Sequence, residues 1–502
     1  MTSLPRGRFR RILLWLSVFL VAVTIATGIW VTWSYRSSKV STVGTPFTNE
    51  LRIPPQADSR LDPDGTRVFE LDMRAGTTRF LPDGETPTWG FNGSYLGPTL
   101  RAQRGERVRV DIRNHLPEAS TVHWHGMHLP AVADGGPHQM IAPSASWSPQ
   151  WTVDQPAATL WYHPHPHGAT ESHVRRGLAG LFLIDDDVVT GLPHTYGVDD
   201  LPMIVQDVRF RGTAMDHGRG IFSDTGTLGD RTMVNGTLAP YRTVGDELIR
   251  LRLLNAASAR VFTFGLSDDR SFALVATDGG VLEHPVDATR IRLSPGERAE
   301  IVVRMRPSER VAVRAYPTDL GTGFWNRRFS GGDDTFDVLQ LRAADTLRAS
   351  AALPTRLATP TLPRAADSVR ERHFEMRLPG INGATMAMDR IDAIVERGTT
   401  EIWIVRNTDG MAHNFHVHDV QFAVAAVDGA PPPPPLRGPK DTVLLAPGSE
   451  MRLVLRFDGP GDPEHPYMYH CHLLWHEDQG MMGQFLVVEP GTAPPARISG
   501  HH

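Results

Sequence analysis

Histidines set one residue apart recur along this chain. His123 and His125 form one such pair, His163 and His165 a second, His416 and His418 a third, and His470 and His472 a fourth. With 22 histidines in 502 residues, random placement gives about one His-x-His, yet five occur once His165-Pro166-His167 is included. Side chains at i and i+2 of a strand share a face and lie about 6.6 Å apart. Each pair can therefore present two imidazoles to neighbouring metal ions, and neutral imidazole suits copper, zinc, iron or nickel.

The single cysteine narrows the choice. Cys471 lies between His470 and His472, so the pleat turns its sulfur to the opposite face. On that side His413, His476 and Met481 are available. Two imidazoles, one thiolate and a weak axial thioether make a blue-copper electron-transfer site. Met482 adjoins Met481, and one of the two would pack into the core. One cysteine also excludes a disulfide framework and any all-cysteine metal site.

These side chains need a scaffold, and a repeat supplies it. Asn92-Gly93 is followed by a strand that ends at Asn114, Asn235-Gly236 by one that ends at Asn255, and Asn382-Gly383 by one that ends at Asn407. Nine and eleven residues beyond the final Asn stand His123 and His125 in the first copy, and His416 and His418 in the third. The middle copy has Phe264 and Leu266 there. Three homologous β units follow, each long enough for a Greek-key sandwich. The outer two carry ligands and the middle one is a spacer. The expected boundaries are 63–190, 198–345 and 368–492, with a linker at 342–368 that is rich in Ala and Arg. The proline run Pro431 to Pro435 must be a surface loop, because it cannot donate ladder hydrogen bonds.

Composition agrees with an all-β protein. Gly 46 and Pro 40 suit a turn-rich fold, and 40% hydrophobic residues allow a packed core. A net charge of -5 argues against nucleic acid as a partner. Residues 1–35 stand apart. Arg6, Arg8, Arg10 and Arg11 precede an uncharged run from Ile12 to Trp33, long enough to cross a bilayer. The basic flank places the rest outside the cytoplasm. An uncleaved anchor is preferred to a cleaved signal, because the run exceeds a usual signal core and the small-residue site Ala26-Thr27-Gly28 is poor. Arg10-Arg11 weakly resembles a twin-arginine export signal. Residues 36–62 read as a tether.

Taken together, the motifs resemble those of the multicopper oxidases, the family of laccases and bacterial cuprous oxidases. The matching stretches are His-Trp-His-Gly at 123–126, His-Pro-His at 163–165, His-x-x-His-x-His at 413–418, and the run from His470 through Cys471 and His476 to Met481. The likeness covers about residues 63–490. It implies three cupredoxin-like domains and four coppers. His413, Cys471, His476 and Met481 would hold a type 1 copper, and His123 and His416 a type 2. His125, His163, His165, His418, His470 and His472 would hold a type 3 pair. Substrate electrons would enter singly at type 1 and pass along the Cys471 strand to a trinuclear cluster between domains 1 and 3, where dioxygen becomes water. Asp134 and Glu477 match the family's two proton-relay acids.

Substrate is less defined. A phenolic donor is expected, or cuprous ion. Asp409 and Met411 match positions that touch substrate copper in the cuprous oxidases, although the methionine-rich insertion of those enzymes is absent. Asn414 departs from the family, which usually has proline after the type 1 histidine; ligation is unaffected. The chain is expected to be a monomer outside the cytoplasm, joined to the membrane through its first segment. The alternative is a copper-sequestering or scaffold protein of the same fold without turnover.

Overall fold

The computed structural model describes residues 6–187, 191–493 and 497–498. Strands dominate and pair into two facing sheets in each of three successive units. In the first unit a six-stranded sheet built on Arg67–Leu81 and Arg107–Asn114 faces a four-stranded one. The latter runs Leu100–Gln103, Gly180–Asp185, Ala158–His163, His123–His125. Alternation explains the packing. In Arg107–Asn114 the residues Val108, Val110 and Ile112 are fully buried, and Arg109 and Asp111 between them are not. The second unit has sheets of six and seven strands and the third has two of five. Each unit encloses its own apolar core, centred on Trp124 and Phe182, on Phe262 and Phe264, and on Trp403 and Phe485.

The sequence repeat is a repeat of hydrogen bonds. Asn92, Asn235 and Asn382 all adopt left-handed backbone, with φ of 57, 50 and 53°, a conformation Asn tolerates. Their side-chain oxygens accept from the backbone N–H of Asp72, Ile204 and Glu375 at 2.7, 2.8 and 2.7 Å. The strand-ending residues match as well. Asn114, Asn255 and Asn407 donate Nδ2 to the carbonyls of Ile141, Leu293 and Leu445 at 2.8, 2.8 and 3.1 Å.

Two stretches read as connectors are built into the domains. The expected tether is a strap. Ser41 bridges to Thr335, Asn49–Glu50 pairs in parallel with Pro240 and Tyr241, and Leu51 is buried in the middle core. Ser59–Leu61 then joins the first unit's sheet. The apolar residues Val40, Leu51 and Ile53 explain this, since each finds a core to enter. The linker is similarly docked. Phe336–Arg348 carries it as strand, and Leu353 and Leu357 pack beside Leu192 and Val275. The proline run does lie at the surface.

The helix Arg6–Ser37 precedes all of this. Within its segment Arg10–Ser37 an 18-residue window has mean hydropathy 2.5 and is unburied, as befits a signal or membrane segment. Ser17, Thr24 and Thr32 return their hydroxyls to the carbonyl four residues back, at 2.8–2.9 Å. Their polar atoms are thereby satisfied within the helix.

Candidate metal centre

Strand register brings the histidines together. In the first unit His123 lies opposite His163, and Trp161 opposite His125. In the third, His416 lies opposite His470. The two histidine-bearing sheets meet. His125 stacks on His416 with centroids 3.7 Å apart at 10°, and His123 on His418 at 3.8 Å and 21°.

Among the described residues, donor atoms within 4.8 Å of one another form five groups; one joins Asp134 to His123 and His418, and the other four, of histidine and cysteine alone, account for every histidine expected as a ligand. These four are His123 with His125 and His416; His125 with His163 and His472; His165 with His418 and His470; and His413 with Cys471 and His476. All these residues are buried. His167, the odd member of the fifth pair, is exposed and in none of them. Phe264 and Leu266 are core residues of the middle unit.

One nitrogen of most rings is held and the other is left free. His123 Nδ1 donates to Asp134 O, His163 Nδ1 to Pro164 O and His416 Nδ1 to Asp441 O, each at 2.9 Å. The Nε2 atoms of these three rings, Nδ1 of His125 and both nitrogens of His472 have no hydrogen-bond partner among the described residues although buried. Leaving a buried polar atom unpaired costs about 1–3 kcal/mol. Six such atoms converging at this spacing are what a metal cluster requires, and the held nitrogens fix the ring tautomers. Burial drives His125, His163, His416 and His418 well below the usual imidazole range, and His165 and His472 to about 3. The neutral, ligating form is thus the resident one.

Two carboxylates flank this cluster. Asp134 Oδ2 accepts from His418 Nδ1 at 2.8 Å, and its Oδ1 lies 3.5 Å from His123 Nδ1. Glu477 lies 3.3 Å from Nδ1 of both His165 and His470 and is 1% exposed.

The second centre uses the other side of the Cys471 chain. Cys471 Sγ is 3.8 Å from His413 Nδ1 and 3.4 Å from His476 Nδ1, and these two nitrogens are 3.0 Å apart. Burial pushes the thiol up to about 12 and His476 down to about 3. The outer ring nitrogens are held. His413 Nε2 lies 3.3 Å from Asp409 Oδ2, and His476 Nε2 donates to Asp224 O at 2.7 Å. Of the adjacent methionines, Met482 pairs across the sheet with His470 and so shares its face. Met481 packs in the Cys471 core and is bonded to it through its carbonyl at 3.0 Å. Asp409 also accepts from the backbone N–H of Leu378 and Gly410, at 3.0 and 2.7 Å. Met411, two residues further on, is half-buried.

Asp441, Arg298 and Gly296 belong to no motif in the sequence, and Asn414 stands in one without being a ligand. Asp441 accepts from both guanidinium arms of Arg298, at 2.8 and 2.6 Å, and lies 3.1 Å from His125 Nε2. Gly296, in the loop before Arg298, has φ of 87°; a Cβ there would meet His125 and His472 at 3.1 Å. The middle unit therefore does more than space the outer two. Asn414 links the centres. It donates to Pro295 O at 2.8 Å, accepts from His472 N–H at 2.6 Å, and has its Oδ1 3.5 Å from Cys471 Sγ. Its departure from the family's proline was the only signal of this.

Comparisons with known proteins agree with the geometry. Three multicopper oxidase family models match residues 73–188, 199–323 and 354–491. A multicopper oxidase of Staphylococcus haemolyticus is 35% identical over 443 residues, covering 88% of this chain and 92% of the relative. The cell division protein FtsP of Salmonella typhimurium is equally similar, 35% over 455 residues, with 87% and 92% covered. Among solved structures, the laccase-like multicopper oxidase CueO of the lignin-degrading Ochrobactrum sp. superposes with a TM-score of 0.79. It is 35% identical, over 87% of this chain and all of that one. Three cupredoxin-like domains with buried histidine groups at the expected motifs place this chain in the multicopper oxidase family.

Proposed function

We propose that this chain is an oxygen-reducing oxidase that takes electrons from a phenolic donor. The observation that carries the reading is the set of ten imidazoles and one thiol, all buried and gathered in four groups. A scaffold of the kind suggested by the cell-division relative has no use for buried, unpaired ring nitrogens.

His413, Cys471, His476 and Met481 would hold one copper, His123 and His416 a second, and the remaining six histidines a pair. Bound copper supplies one-electron chemistry at the first site and the four-electron reduction of dioxygen at the others. The chain's own contribution is connection and protons. Cys471 is covalently continuous with His470 and His472, which joins the two centres by a few bonds. Glu477, between His165 and His470, is placed to hold a proton at its carboxylate and return it to the oxygen site, and Asp134 does the same beside His418. The first site's donor would approach through the outer edges of His413 and His476.

Cuprous ion is the second donor to test, since Asp409 and Met411 offer a carboxylate and a thioether beside His413. Against it, Asp409 already accepts three contacts within the protein. In this reading the protein works as a monomer outside the cytoplasm, anchored by its first helix. The test is a visible spectrum together with oxygen uptake on a phenol, on copper(I) and on iron(II). A blue protein that consumes oxygen with the phenol supports the oxidase. A coloured protein that consumes none with any donor refutes it and leaves copper sequestration.

A further inference from the structure

The loop that closes the type 1 site also touches the apolar helix. Asp224 O accepts from His476 Nε2 at 2.7 Å, and the Arg219 guanidinium lies 4.3 Å over the ring of Trp475. Between them, Phe222 packs on Trp30 of the helix Arg6–Ser37 with centroids 5.6 Å apart. The short helix Phe324–Phe329 joins the same cluster. Phe222 lies 5.4 Å from Trp325 and 4.9 Å from Phe329, and Tyr35 stacks on Trp325 at 6.0 Å. Asn326 of this helix reaches Gly410 O at 3.5 Å, three residues before His413. The patch runs from the apolar helix to the loop that caps His476 and to the backbone that leads into His413. Its outermost side chains are bare: Ile221 is 84% exposed and Phe324 73%.

Chain length sets the level of this patch. From Ile12 to Trp33 the helix rises about 33 Å, close to the roughly 30 Å of a bilayer's hydrocarbon core. Trp30, Trp33 and Tyr35 then fall at the outer boundary, where amphipathic aromatics collect. Phe222, in contact with Trp30, is at that boundary too. Exposed Arg36 and Lys39 follow at the level of the headgroups.

We propose that the type 1 face rests on the bilayer from which the helix emerges, and that the donor is a lipid-dissolved hydroquinone. This rests on the oxidase reading and on retention of the helix. The chemistry balances. Two hydroquinones give up four electrons and four protons and leave as quinones, and one dioxygen takes both and leaves as two waters. A ring in the headgroup layer would meet the 221–224 loop, whose Asp224 carbonyl is hydrogen-bonded to His476 Nε2, without first entering water.

The experiment uses the full-length, copper-loaded protein in vesicles of phosphatidylglycerol and phosphatidylethanolamine, compared with detergent micelles. A nitroxide on Ile221→Cys, with Cys471 buried and unreactive, reports depth through collisions with dissolved oxygen against a water-soluble nickel chelate. The expected result is a label shielded from nickel and exposed to oxygen. A long-chain hydroquinone should be oxidised several-fold faster, relative to a water-soluble phenol, in vesicles than in micelles. Ile221→Ser with Phe324→Ser should erase that ratio. A label open to nickel, an equal ratio in both media, or a mature protein that lacks the helix overturns the proposal. Failure to oxidise any donor would instead refute the oxidase reading, and label depth would then judge the membrane contact alone.

Discussion

Arg298 of the middle domain grips Asp441 of the third with both guanidinium arms, at 2.8 and 2.6 Å, and neither side chain has any solvent exposure. Asp441 lies 3.1 Å from His125 of the first domain, and its carbonyl accepts from His416 Nδ1 at 2.9 Å. One ion pair thus ties all three domains to the cluster, and two ligand rings take their orientation from it.

Arg298→Ala should therefore destabilise the protein by about 3–5 kcal/mol, because it leaves a buried carboxylate unpaired. Copper at the cluster should fall below stoichiometry while the type 1 colour survives. Arg298→Lys keeps the charge but not the fork, and should recover part of both. Denaturant unfolding with copper analysis decides the matter. Unchanged copper content in Arg298→Ala would show that the pair supports the domain junction and not the ligands.

Cys471→Ser should abolish the thiolate-to-copper band at roughly 600 nm and all oxidation, since a hydroxyl is a poor ligand in this site. A persistent band would refute the assignment. The native thiol adds a pH signature. Burial raises it to about 12, so the copper-free site is protonated at neutral pH and metal must displace that proton. Copper affinity at this site should rise about tenfold per pH unit between pH 7 and 9. A pH-independent affinity measured by competition with a chelator would contradict this.

Met481→Leu should raise the type 1 reduction potential and keep the colour. Removing a weak axial thioether penalises copper(II) more than copper(I), and each tenfold change in that preference is about 59 mV. Met482→Leu, on the opposite face, should leave the potential in place. Redox titration of both variants tests the assignment; the reverse pattern would make Met482 the axial neighbour.

Glu477→Gln and the pair Asp409→Ala with Met411→Ala should separate the two half-reactions. The first loses a titratable carboxyl beside His165 and His470. Reoxidation of the reduced enzyme by dioxygen should slow by about 10²-fold or more, most at high pH where protons are scarce, with reduction by substrate preserved. The second should slow copper(I) oxidation and spare phenol oxidation. Stopped-flow measurement of each half-reaction distinguishes them. Equal loss of copper(I) and phenol activity in the double variant would reduce Asp409 to a support for His413.

Strand pleat and turn chemistry are local, and whatever depends on them was legible in the amino-acid order. The Asn-Gly turns repeat as three matching sets of hydrogen bonds. The His-x-His pairs and the opposed sulfur of Cys471 follow from a period of two. The apolar run announced the first helix. Periodicity names the face a side chain occupies and not the face it will meet. The allocation of histidines to particular coppers therefore came from family resemblance, and only the packed domains put His125 against His416 and His123 against His418. The motif names Met481 as the axial group, and the register of His470 with Met482 adds that the neighbouring methionine sits on the other face. Arg298 and Asp441 are 143 residues apart in sequence and belong to no motif. Their pairing, the strap across the middle domain and the loop joining the type 1 site to the apolar helix arise where three separately coded cores close on one another. Those contacts are decided by the tertiary structure, because they are set by shape and charge between surfaces that no local pattern encodes.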